Sequence, residues 1–146
     1  MTGSEGLTGT WILHSLYGES AEGEIWQICG ESPRGMLVYT AEGTTSVVLM
    51  QRGRPKFAAG LDAPTVEELR AAFFGFDAYC GTYTVDAAQK QVTHHILGSR
   101  MPDWEGSAQV RYFELEGDSL RIRSAPIPAR GTEWTVYVVW SRYKAA

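Results

Sequence analysis

Cysteine is scarce in this chain of 146 residues, basic charge is outnumbered, and no apolar run is long; each shortage closes off a class of protein. Cys29 and Cys80 show no Cys-x-x-Cys and no metal-ligand spacing, which excludes a disulfide-stapled scaffold or a zinc module. Both read as free core thiols, with a disulfide between them as the alternative. No segment approaches the ~18 consecutive apolar residues of a membrane span. Met1 to Gly6 lacks the positive start and apolar core of a secretory signal, so a cytoplasmic protein without membrane attachment is expected. Thirteen basic against seventeen acidic side chains leave a net charge of -4. There is no basic field to hold phosphates, and nucleic acid is not an expected partner. Phosphate loops, metal clusters and serine or cysteine nucleophile elbows are missing too, which disfavours hydrolases of those kinds.

What is present is apolar and aromatic: 44% hydrophobic residues, 12% aromatic and sixteen glycines. A chain of this length buries roughly 68–70% of its unfolded surface, enough for one core, and residues 1–146 read as a single domain. Strand-like runs bounded by turn residues recur at 7–17, 24–29, 35–40, 44–51, 82–85, 91–97, 108–116, 119–124 and 133–143. Short polar or glycine-bearing turns join several neighbours, so they should pair as antiparallel hairpins in a meander. The fold class predicted is all-β, an antiparallel up-and-down barrel of about eight or nine strands. One segment breaks the pattern. Thr65-Val66-Glu67-Glu68 reads as a capping box, and Val66, Leu69, Phe73, Phe76 and Cys80 recur at helical spacing before Gly81. This predicts a helix around 65–80, covering an open flank or the barrel mouth, or acting as a lid that moves with ligand.

Gly9-Thr10-Trp11 at the start and Trp140-Ser141-Arg142 at the end suggest how the barrel closes, with the Arg142 guanidinium stacked on the Trp11 indole. Strand alternation then sorts side chains into inner and outer faces. In 108–116, Glu114 and Glu116 must face water, so Gln109, Arg111, Phe113 and Leu115 turn inward. An inward guanidinium cannot shed its charge and needs a carboxylate, carbonyls or a ligand oxyanion. Alternatively, Arg111 lies at the rim or pairs with Glu24 or Asp77. His94 and His95 face opposite sides; parity does not say which enters, although the more apolar face, with Val92 and Ile96, belongs to His94. An inward imidazole beside Arg111 would form an acid-base and oxyanion pair. His14 reads as structural, on the face of Ile12 and Leu16. Tyr39, Ser46, Tyr83 and Trp134 are further candidates for the cavity wall, with Trp134 toward the open end.

The chain resembles the lipocalin-like domain family of small bacterial and fungal proteins over nearly its whole length. The resemblance rests on Leu7-Thr8-Gly9-Thr10-Trp11, Ser32-Pro33-Arg34-Gly35 followed by Leu37 and Tyr39-Thr40, Gly81-Thr82-Tyr83 and Val92-Thr93-His94-His95. It continues through Gly98-Ser99, Pro102-Asp103-Trp104, Gly106, Gln109-Val110-Arg111-Tyr112-Phe113 and Val139-Trp140-Ser141-Arg142. It implies an antiparallel barrel with a ligand cavity, in a family whose members serve as carriers or as cyclases and isomerases of natural-product pathways. The absence of a signal peptide and of a disulfide pattern sets the chain apart from secreted lipocalins.

Two functions follow as expectations. The first is binding of a small hydrophobic or amphipathic, often aromatic molecule, such as a natural-product intermediate. The second is a cofactor-independent cyclase, isomerase or dehydratase acting on a polyketide-like or terpenoid substrate. There His94 or His95 would be the acid-base, and Arg111, Gln109 and Tyr83 would orient oxygens. A lone imidazole is a thin argument for haem, so no cofactor and no metal are expected. The oligomer expected is a monomer or a homodimer.

Overall fold

The computed structural model describes residues 6–146; the first five residues, most of the segment expected to lack a secretory signal, lie outside the described residues. Ten strands form one antiparallel sheet: β1 (Gly9–Ser20), β2 (Ile25–Trp26), β3 (Arg34–Tyr39), β4 (Thr44–Met50), β5 (Phe76–Asp86), β6 (Gln91–Ser99), β7 (Ala108–Glu116), β8 (Ser119–Arg123), β9 (Ile127–Ala129) and β10 (Thr132–Arg142). All but β2 and β9 run in the order β1-β3-β4-β5-β6-β7-β8-β10, and β10 pairs back onto β1 from Trp11↔Arg142 to Ser20↔Trp134. The barrel is therefore closed with eight strands, and closure removes the sheet edges that would otherwise invite pairing with other chains. β2 and β9 are short additions at one rim, paired with Gly18–Glu19 and Thr132–Trp134. Each expected strand segment contains a strand, while β9 and a 3-10 turn at Pro102–Trp104 were not foreseen.

One end of the barrel is filled. Trp11, Leu37, Tyr39, Tyr83, Val92, Phe113, Leu120 and Trp140 pack there as a continuous buried cluster. Its floor is the expected stack: the Arg142 guanidinium lies 4.2 Å from the Trp11 ring centroid. That guanidinium donates to the carbonyls of Thr8 at 3.0 Å and Gly6 at 2.9 Å, and Trp11 Nε1 donates to Leu7 O at 2.9 Å. Gly9 takes φ +131°, and a Cβ there would stand 3.1 Å from Arg142 Nη1, so the chain can turn in under the indole only with glycine at this point.

Three local expectations need correction. The helix, α1, spans only Val66–Phe74. The capping box is present, but Gly75 ends the helix, and residues 76–80 continue β5 by pairing with β4 from Met50↔Phe76 to Ser46↔Cys80. Aromatic residues with low helix propensity gain more from a sheet ladder than from further turns. Gly81 is accordingly no helix stop. It faces a bulge at which β6 carries an extra residue, Leu97, and a Cβ on Gly81 would overlap the His95 carbonyl oxygen. Cys80, expected in the core, is exposed; Cys29 is buried, and both thiols are free. A second bulge between Leu13 and Ser15 shifts the parity of β1, so His14 is exposed while Leu16 turns inward. Among the described residues no helix is long and apolar enough to cross a membrane.

Candidate functional site

The other half of the barrel is hollow. A cavity of about 470 Å³ opens between the strand ends that carry α1, above the packed floor. Its apolar wall comes from Leu16 and Ile122, which belong to the buried cluster, and from Leu49, Val136 and Val138, which pack against that cluster. Four aromatic residues line the cavity as well: Trp26, Phe74, Phe76 and Trp104. Phe74, the last residue of α1, is 67% exposed although it borders the cavity. No side chain of α1 is buried; the helix is held by its C-terminal carbonyls, which accept from arginines outside it. Arg54 donates to Ala72 O at 3.1 Å and Arg100 to Phe73 O at 2.9 Å, a favourable arrangement for cations at the negative end of a helix. Arg100 also pairs with Asp77 at 3.3 Å and lies 4.4 Å from the Phe73 ring centroid.

Polar groups gather on one side of the cavity. Val92, His94 and Ile96 face inward on β6, so His94 is the inward member of the histidine pair; it is 2% exposed. Its Nε2 lies 2.7 Å from the Tyr39 hydroxyl and its Nδ1 2.7 Å from the Tyr79 hydroxyl. Burial pushes the His94 pKa down to about 3, and the charge of Arg111, then His95, adds to the effect. Burial likewise raises Tyr79 to about 12, against the opposing pull of Arg111, and holds Tyr39 well above its ordinary value. All three groups are therefore neutral at physiological pH. Tyr79 borders the cavity, whereas Tyr39 and His94 sit behind it toward the floor. Arg111 lines the same side: its guanidinium is 5.8 Å from the Trp104 ring centroid, and that ring is 5.9 Å from Tyr79. It donates to Val110 O at 3.0 Å and forms no ion pair among the described residues, since Asp77 is engaged by Arg100. Gln109 points inward beside it and donates its amide to Ser107 Oγ at 2.8 Å.

The expected site residues thus divide. Gln109 and Arg111 border the cavity, and His94 stands one side chain behind the wall. Tyr39, Tyr83 and Phe113 belong to the packed floor; Tyr83 gives its hydroxyl to Thr40 O at 2.8 Å, and its ring meets Tyr39 edge-on at 4.7 Å. Trp134 is at the open end as expected, but buried beneath Trp26 with its Nε1 donating to Ala129 O. Ser46 and His95 are corrections, because both are exposed on the outer face of the sheet, where His95 meets Thr84 at 3.3 Å. Alternation places Thr45 and Val47 inside, and Ser46 cannot join them. A shallower depression of about 640 Å³ lies on that outer face and shares none of the polar cluster. Tyr79, Trp104, Asp77 and Arg100 were missed as site residues. The inward run Tyr79-Gly81-Tyr83 carried the signal for Tyr79, masked by the helical spacing that extends through Cys80.

A family model described as a lipocalin-like domain matches residues 8–143. The chain is similar to the 4'-hydroxy-3'-methoxypropiophenone carrier protein ppsC of Aspergillus oryzae, with 28% identity over 109 residues, covering 66% of this chain and 95% of that protein's length. No solved structure matches.

Proposed function

This chain belongs to the lipocalin-like domain family, and on that premise we propose that it is a carrier that holds one small, largely apolar aromatic molecule in the open half of its barrel. The observation that carries the reading is the half-filled interior: a cavity of about 470 Å³, walled by aliphatic and aromatic side chains with a few polar groups on one side. That size falls within the ~300–1,000 Å³ of ordinary small-molecule sites. The relative's name, a carrier of an aromatic ketone, supports the same ligand class.

Carriage is favoured over acid-base turnover by the state of the histidines. A proton shuttle works best with a pKa near the operating pH and a free nitrogen within reach of its substrate. His94 has both nitrogens engaged by tyrosines and a pKa near 3, and His95 lies outside. A cyclase, isomerase or dehydratase would have to rely on Arg111 and Tyr79 alone.

Titration of single-ring aryl ketones, 4'-hydroxy-3'-methoxypropiophenone among them, followed by calorimetry and tryptophan fluorescence, tests this. Saturable binding at one site per chain is expected, unchanged ligand is recovered, and Val136→Trp, which fills the cavity, lowers affinity at least about tenfold. Failure of the intact protein to bind any of them, or wild-type affinity in the filled variant, would refute carriage in the barrel.

A further inference from the structure

The two tyrosines on His94 are not equivalent, and the difference decides what the cavity offers a ligand. A neutral imidazole has one N–H and one bare nitrogen, so of its two hydroxyl partners one must donate to it and the other must accept from it. Tyr39 is 1% exposed in the packed floor, and among the described residues His94 Nε2 is the only hydrogen-bond partner of its hydroxyl. Were Tyr39 to accept from Nε2–H, its own proton would be left in an apolar core with no acceptor, a state that folded proteins avoid. Tyr39 therefore donates to Nε2. It follows that the proton of His94 is on Nδ1 and that Nδ1–H donates to the Tyr79 oxygen.

The Tyr79 hydroxyl, having accepted from His94, keeps its own hydrogen for something else, and Tyr79 borders the cavity. Arg111, around the same Trp104 ring, offers guanidinium N–H groups and no acceptor. We propose that Tyr39 and His94 act as positioning residues that turn the Tyr79 O–H into the cavity, so that Tyr79 and Arg111 together bind an acceptor oxygen of the ligand, of the ketone carbonyl type. This rests on the carrier reading and adds its chemical selectivity: a conjugated carbonyl is held at this corner, and a hydrocarbon of the same shape is not favoured there. A phenol reaching the corner can engage it only through its oxygen lone pairs, because both protein groups are donors.

Two measurements test it. The first needs no ligand: a long-range ¹H–¹⁵N correlation spectrum of the intact, ¹⁵N-labelled protein at pH 7 reports which ring nitrogen of His94 bears hydrogen. The Nδ1–H tautomer is expected, and the Nε2–H tautomer would overturn the proposal. The second compares propiophenone with propylbenzene, which differ by a carbonyl in place of a methylene. Wild type should prefer the ketone by about tenfold, some 1.4 kcal/mol, and Tyr79→Phe should erase most of that preference while retaining propylbenzene. Because the preference is a ratio within one protein, a general loss of packing in the variant does not mimic the result. An unchanged preference in Tyr79→Phe, with both probes bound, overturns the selectivity and leaves carriage standing. Binding of neither probe to wild type refutes carriage itself, and the selectivity with it.

Discussion

At the scale of single residues, His94 shows most clearly what the fold does to a side chain. In an unfolded chain its imidazole titrates near 6.5; in the barrel it does so near 3. Above pH 6.5 neither state holds the proton, and the group contributes nothing. As the pH falls below that point the unfolded chain takes up a proton that the native state refuses, so stability is lost through the window from about 6.5 down to about 3, at roughly 1.4 kcal/mol per pH unit. His94→Gln should remove this part of the acid sensitivity. Urea denaturation at pH 7 and pH 4.5 should show wild type losing about 2.5 kcal/mol more than the variant, and equal losses would contradict the buried neutral state. The neighbours Val92 and Ile96 gave His94 the more apolar face, but alternation alone did not choose between His94 and His95; the barrel did. Its partners could not be read at all: Tyr39 and Tyr79 stand 55 and 15 residues away, and only the closing of the barrel brings their hydroxyls to the two ring nitrogens.

Helix α1 sets the lesson at the scale of elements. Its start was legible because the capping box is local chemistry: Thr65 Oγ1 accepts from Glu68 N at 3.1 Å, and the Glu68 carboxylate accepts from Thr65 N at 2.8 Å. Its end was not, because residues 76–80 could serve either period, and the register against β4 chose the strand. With no buried side chain, α1 is tied to the barrel by caps and arginines rather than by a core. Thr65→Ala should therefore loosen the helix by about 1 kcal/mol without unfolding the barrel. Hydrogen exchange is expected to quicken about fivefold over residues 68–74, while β1 and β10 keep their protection. A matching loss of protection in β1 and β10 would mean that the helix is part of the barrel's cooperative unit.

Across the whole molecule, the decisive property is that one continuous sheet has a packed half and an empty half. Leu37 lies deep in the packed half, whereas Val136 borders the hollow one. Leu37→Ala should cost about 3 kcal/mol, because it opens a new void in close-packed surroundings. Val136→Ala only widens an existing space and should cost less than about 1 kcal/mol, since few contacts on that side are lost. Chemical denaturation of the two variants measures the contrast; equal costs would mean that the open half is as tightly packed as the floor.

Alternation, turn chemistry and the glycine-tryptophan and tryptophan-serine-arginine marks were enough by themselves to determine an antiparallel barrel, the face on which Gln109 and Arg111 lie, and the pairing of Trp11 with Arg142. These are properties of neighbouring residues or of chain ends that closure must bring together. Tertiary structure alone decided which half of the barrel is hollow, that two bulges shift the faces of β1 and β6, that Asp77 answers Arg100 instead of Arg111, and that two tyrosines hold His94. The physical reason is that cavities, bulges and buried hydrogen bonds depend on the shear of eight strands around a ring, which couples residues far apart in the chain.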